Sequence, residues 1–247
     1  MDRDQAEGLR QLFASELPAP QVCLIACPQR EAVALSLARA LVERLVSGGR
    51  SALWIDDVSL RYREGLPLVA PVRFQWSQWL DGSVALGDAA VAYGERRWYA
   101  YSGDPVRSTR TPTVAHPDAL RAGGIGADTI VVSSKDGFAF LPILAGRRLH
   151  AVMVCEAKPA QLKNTFVWMS RLETQGDLAS TSIIPAGDPK ACERFHQAIA
   201  DLGGGFLTSV PLPSGHLSIR LLSTPLTALG REAGPLADQL ADRLLTA

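Results

Sequence analysis

Four residues are of a type and place to serve a nucleotide: Arg30, Asp56, Asp57 and Ser133. Arg30 lies in the turn Cys27-Pro28-Gln29-Arg30-Glu31-Ala32 after the first apolar run. In an α/β domain that turn is a common phosphate site, because backbone amides and a helix N-terminus converge there. Asp56 and Asp57 close the second apolar run and could hold Mg²⁺. Ser133 follows the run Thr129–Val132, where the aspartate of a magnesium site would stand. The rest of the apparatus is missing. A loop of the form Gly-x-x-x-x-Gly-Lys-Ser/Thr lets backbone amides close around phosphates and neutralises them with lysine. Here no glycine occurs between Gly8 and Gly48, and the first lysine is Lys135. Pro28 lacks an amide proton, and Glu31 puts a carboxylate where an anion would sit. Asp136 comes three residues too late for the magnesium position. The residues thus predict a surface charge at a helix start for Arg30 and a turn cap for the aspartate pair. Any nucleotide site they form is vestigial.

Other chemistry finds no support. His116, His150, His196 and His216 are scattered, and no Gly-x-Ser-x-Gly elbow exists. Cys23, Cys27, Cys155 and Cys192 form no Cys-x-x-Cys pair and sit in or beside apolar runs, as buried free thiols do. No metal and no cofactor are therefore expected. Lys+Arg and Asp+Glu are both 25, so bulk charge does not call for nucleic acid. The N-terminus is polar and acidic, without the apolar core of a signal peptide. No apolar run approaches the roughly 18 residues of a membrane span. The cytoplasm is the expected compartment.

The elements that must position these residues alternate. Val22–Cys27 is continuously apolar, like a strand buried on both faces. Glu31–Val46 carries Val33, Leu37, Leu41 and Leu45 in one helical stripe and stops at Gly48-Gly49. Ser51–Ile55 is a second buried strand. Residues 59–72 read as a loop, 74–92 as mostly helical, Trp98–Tyr101 as a short strand and 102–127 as a long loop. Further strands are expected at Thr129–Val132, His150–Cys155, 180–185 and Phe206–Pro211. Helices are expected at 137–146, 159–174, 188–203 and 234–245. This pattern predicts a single doubly wound α/β domain over 21–247, its mostly parallel sheet covered by helices on both faces. Residues 1–20 form a separate N-terminal helix and linker. In that helix Asp4 and Glu7 suit a capping box, and Ala6, Leu9, Leu12 and Phe13 share one face. Gly8 costs it about 1 kcal/mol relative to alanine. Such a helix is marginal alone in water.

The N-terminal run Asp4-Gln5-Ala6-x-x-Leu9-Arg10 resembles the activator motif of FlhG, the flagellar-number regulator of the MinD/ParA class. Weaker matches follow in order along nearly the whole chain: Leu37–Leu41, the strand ending Asp56-Asp57, Trp79–Leu86 with Trp98–Gly103, and Val154–Pro159. The resemblance implies a MinD/ParA-like fold and a partner, the signal-recognition-type GTPase FlhF. It places Gln5 near the partner's nucleotide, with Leu9 as apolar anchor and Arg10 as polar clamp. Asp4, Ala6 and Phe13 complete the partner-binding face. Recruitment to the cell pole would come through that partner. Active members of the family bind ATP, dimerise around it and reach the membrane through a C-terminal helix. This chain departs from them in lacking the glycines and both lysines of their phosphate loop and in carrying Ser133 for an aspartate. Its terminal helix, with Leu236, Leu240, Leu244 and Leu245, has Arg243 as its one cation, which suits packing on the domain rather than membrane anchoring.

The expectation is a non-catalytic regulator of flagellar assembly, a pseudo-ATPase that binds and stimulates the GTPase. Two other readings stay open. One is an enzyme with an atypical nucleotide site built from Arg30, Asp56 and Asp57. The other is an interaction module for a polar-localisation, flagellar-switch or transcription-regulatory partner. For the latter, Trp76, Trp79, Tyr93, Trp98, Tyr99 and Tyr101 would be interface anchors, although most of them are expected in the core.

Overall fold

Apolar side chains on alternate positions of β1 (Gln21–Ala26) serve two different cores. Cys23 and Ile25 join one cluster, and Val22, Leu24 and Ala26 join the other. A strand with apolar residues on both faces must be covered on both, and helices do this. In the computed structural model the described residues are 20–57, 72–102, 125–141, 148–175, 178–203, 212–213, 215–217 and 226–246.

After β1 come α1 (Glu31–Ser47), β2 (Ala52–Asp56), the short helices α2 (Trp76–Leu80) and α3 (Leu86–Ala89), β3 (Ala90–Gly94), β4 (Arg97–Tyr101) and β5 (Thr129–Ser134). A 3₁₀ turn at Phe138–Phe140 precedes β6 (Leu149–Glu156), α4 (Pro159–Gln175), β7 (Leu178–Ala186), α5 (Pro189–Gly203), β8 (Leu212–Pro213) and α6 (Leu226–Thr246). The eight strands form one sheet in the order β3-β4-β2-β5-β1-β6-β7-β8. Every pairing is parallel except β3 with β4. Helices α1 and α6 cover one face. On the other lie α2, the Phe138–Leu141 turn, α4 and α5. This is the doubly wound α/β arrangement that the sequence predicts.

The boundaries differ in instructive places. The span 74–92 is not one helix: it breaks at Asp81-Gly82, and residues 90–94 become β3. The Glu95-Arg96 turn returns this strand onto β4, with Arg96 at φ 58°. Pairing across that turn supplies backbone hydrogen bonds that local propensity does not predict. Within 137–146 the described part is the 3₁₀ turn, not an α-helix. Helix α6 begins at Leu226 rather than 234 and continues through Pro235. Proline inside a helix costs about 3 kcal/mol. Burial of Ala233, Leu236, Ala237, Leu240 and Leu244 in the cluster shared with α1 offsets it. An Arg44–Asp238 ion pair joins the two helices at 2.9 Å. Leu236, Leu240 and Leu244 of the leucine stripe therefore pack on the domain. No described helix is long and apolar enough to cross a membrane. The expected strand at 206–211 and the N-terminal helix lie outside the described residues.

Candidate functional site

Parallel strands β1, β2, β4, β5 and β6 end along one edge of the sheet. In open α/β sheets ligands bind outside these carboxyl ends. The register places Ser133 beside both Ile25 and Asp56, so three of the four candidate residues share one part of this edge: Asp56, Asp57 and Ser133. Arg30 lies in the turn after β1, directly before α1.

The turn after β1 spans only residues 27–30. Its backbone is used internally. Cys27 N–H donates to the Ser134 carbonyl at 3.3 Å, and Arg30 N–H donates to the Cys27 carbonyl at 3.2 Å. The amides of Gln29 and Arg30 also face the Cys27 thiol, which burial pushes up to about 12 against their pull. The Gln29 carboxamide donates to Gln161 Oε1 at 2.8 Å. Arg30 is the half-buried N-cap of α1, extended at φ −156° and ψ 97°, with no side-chain cap bond.

Asp56 is fully buried. Tyr99 Oη donates to its Oδ2 at 2.7 Å, and Ser133 Oγ donates to its Oδ1 at 3.2 Å. Trp54 Nε1 donates in turn to Ser133 Oγ at 2.9 Å. The aspartate thus belongs to a polar network inside the core, since a buried carboxylate needs hydrogen-bond donors around it. Asp57 is half-buried and accepts Ser134 Oγ–H at 2.8 Å. Burial above all, together with Asp56, Asp136 and Glu31 and against the Ser134 bond, raises its carboxyl to about 6. The edge is therefore electronegative around Asp57.

A raised carboxyl pKa gives a testable pH dependence. Asp57 binds its proton more tightly in the folded state than at its ordinary value of 3.8. The ionised form is thus penalised in the folded protein above about pH 6, and the penalty disappears on acidification towards pH 4. Asp57→Asn keeps an acceptor for Ser134. It is expected to stabilise the domain by about 1 kcal/mol at pH 7.5, discounted for partial exposure, with no gain at pH 4. Urea unfolding at the two pH values measures the difference.

Cys23 and Cys155 are also buried, with thiols pushed up to about 12, which keeps them protonated at neutral pH. Burial lowers the His150 pKa, and its Nδ1 lies 2.9 Å from Ser180 Oγ, at the opposite end of β6 from the candidate edge. Among the described residues no group of three or more His, Cys, Asp or Glu side chains could hold a metal. Of the aromatic cluster, Trp76, Trp79, Tyr93 and Tyr99 are buried, while Trp98 and Tyr101 are half-buried. Asp4, Gln5, Ala6, Leu9, Arg10 and Phe13 lie outside the described residues. Sequence reasoning missed Trp54, Tyr99, Ser134 and the Gln29–Gln161 pair as parts of this edge. Trp54 and Tyr99 look like ordinary core aromatics, and no local spacing marks their polar tips as partners of Asp56 or Ser133.

No family model matches the sequence, and no curated protein matches it. Solved structures do resemble the fold. The complex of McdA(D38A) with ATP from Cyanothece aligns at TM-score 0.62 and 15% identity, covering 93% of this chain and 98% of that one. MinD in the MinC:MinD cell division complex of Aquifex aeolicus aligns at TM-score 0.63 and 15% identity, covering 92% and 96%. MinD from Pyrococcus horikoshii, complexed with Mg-ADP, aligns at 0.60 and 15%, covering 91% and 96%. Agreement over nearly the full length of each chain gives this protein the MinD/ParA-like fold.

Proposed function

We propose that this chain is a nucleotide-independent regulator on a MinD-like domain, which binds a FlhF-type GTPase through residues 2–14 and stimulates its GTP hydrolysis. The observation that carries the reading is an N-terminal activator-like motif joined to a domain whose first strand–helix turn is closed by its own groups. The Gln29 and Arg30 amides of that turn face the Cys27 thiol, and the Gln29 carboxamide donates to Gln161 of α4, so these donors are used within the chain. The acidic neighbours of Asp57 oppose a polyphosphate on the same edge. Gln5 acts in trans, because a positioned polar side chain that orients water or stabilises charge accelerates phosphoryl transfer.

A peptide of residues 1–20 is expected to raise the turnover of an FlhF-type GTPase about as well as the full chain, and Gln5→Ala to abolish the effect. Steady-state GTP hydrolysis decides this, and no stimulation by either peptide or full chain overturns the proposal. Titration calorimetry with ATP and Mg²⁺ should give no saturable heat. Micromolar binding there would instead favour an enzyme built around Arg30, Asp56 and Asp57.

A further inference from the structure

Helix α4 touches both turns that follow the carboxyl ends of β1 and β5. Near its start, Gln161 Oε1 accepts the Gln29 carboxamide at 2.8 Å. Seven residues later Trp168 Nε1 donates to the Asp136 carbonyl at 2.8 Å. The Arg171 guanidinium lies 3.8 Å over the Phe138 ring centroid. Steps of seven and then three residues keep Gln161, Trp168 and Arg171 on one stripe of the helix.

The two turns are also joined to each other. Cys27 N–H donates to the Ser134 carbonyl. Gly137 N–H donates to Ser134 Oγ at 3.1 Å, and that hydroxyl donates to Asp57. Gly137 lies so close to Leu24 of β1 that a Cβ there would be 2.5 Å from its Cδ2. The latched arrangement also leaves one cost in place. Gln29 Oε1 is buried with no hydrogen-bond partner. Release of the turn would hydrate that oxygen and offset part of the lost Gln29–Gln161 bond.

We infer that α4 is a latch: it holds the turns 27–30 and 135–141 in one closed arrangement, and the two open together. The inference goes beyond the proposed GTPase partnership and does not depend on what residues 2–14 bind. Hydrogen exchange on the full-length chain, followed by mass spectrometry, tests it. Gln161→Ala removes the contact to the first turn, and Arg171→Ala removes a contact to the second. Loss of one net hydrogen bond in Gln161→Ala shifts an opening equilibrium about fivefold, and loss of an exposed cation–π contact in Arg171→Ala shifts it about two- to fivefold. Each variant is therefore expected to speed exchange by about its own factor in both turns, leaving β7 and α5 unchanged. Acceleration confined to the turn that each variant touches overturns the latch. So does a uniform rise across the domain in Arg171→Ala, an exposed position where substitution leaves the core intact.

Discussion

Ser133→Asp is expected to destabilise the domain by about 3–5 kcal/mol at pH 7, the cost of keeping one of two buried carboxyls protonated about three pH units above its ordinary pKa. It would put a carboxylate back at the end of β5, where a magnesium-binding aspartate would stand. The position does not tolerate one. Ser133 is fully buried, and its Oγ is 3.2 Å from an Asp56 oxygen that is itself fully buried. Two carboxylates at that distance cannot both ionise, so one must hold a proton at neutral pH. The substitution also removes the hydroxyl that donates to Asp56 and accepts from Trp54. Ser133→Ala loses only those hydrogen bonds and should cost about 1–2 kcal/mol. The aspartate variant should recover much of its stability on acidification, because the folded pair already holds a proton that the unfolded chain binds only near pH 4, whereas the alanine variant should not. Urea titrations of both variants between pH 5 and 8 measure this. Equal losses for the two variants at every pH would show that the carboxylate finds water or a cation there.

Gly137→Ala is the second large effect, with an expected loss of about 2–4 kcal/mol from overpacking and backbone strain together. Gly137 has φ +79°, a conformation that side chains disfavour. An added Cβ would lie 2.5, 2.7 and 2.9 Å from Cδ2, Cδ1 and Cγ of Leu24. Leu24 cannot retreat: it is fully buried in β1, between β5 and β6. The clash can be isolated by a double-mutant cycle. Leu24→Ala alone costs about 2–5 kcal/mol through the cavity it leaves. In the Gly137→Ala background it should cost at least 1 kcal/mol less, since the new methyl group then enters part of that cavity. Strict additivity would mean that the loss comes only from φ and not from the contact.

The sequence is legible where local pattern and burial agree. The continuous apolar run of β1 identifies a strand covered on both faces, and both of its faces do enter cores. The stripe Val33, Leu37, Leu41 and Leu45 identifies α1, and Gly48-Gly49 ends it: their amides donate back to Arg44 and Val46. Pattern failed where tertiary contact outweighed it. Strand β3 is Ala-rich and gains its form from pairing with β4. Helix α6 runs through Pro235, because its buried side against α1 is worth more than the lost hydrogen bond.

The candidate site divides in the same way. The absence of glycine and lysine around Cys27–Ala32 is a property of the chain itself, since no folding can supply an amide to Pro28 or a charge to Gln29. The activator-like run Asp4–Arg10 is likewise read from residue types alone. What fills the edge in their absence was settled only by the tertiary structure. Asp56 meets a hydroxyl from a strand 77 positions away, and Gln29 meets a glutamine 132 positions away. In a parallel sheet neighbouring strands come from distant parts of the chain, so no local spacing encodes which polar groups will meet at their ends. Ser133 alone reads as a missing aspartate. Bonded to Trp54 and Asp56, it is a satisfied member of the core, because a buried polar group must find its partners wherever the fold brings them.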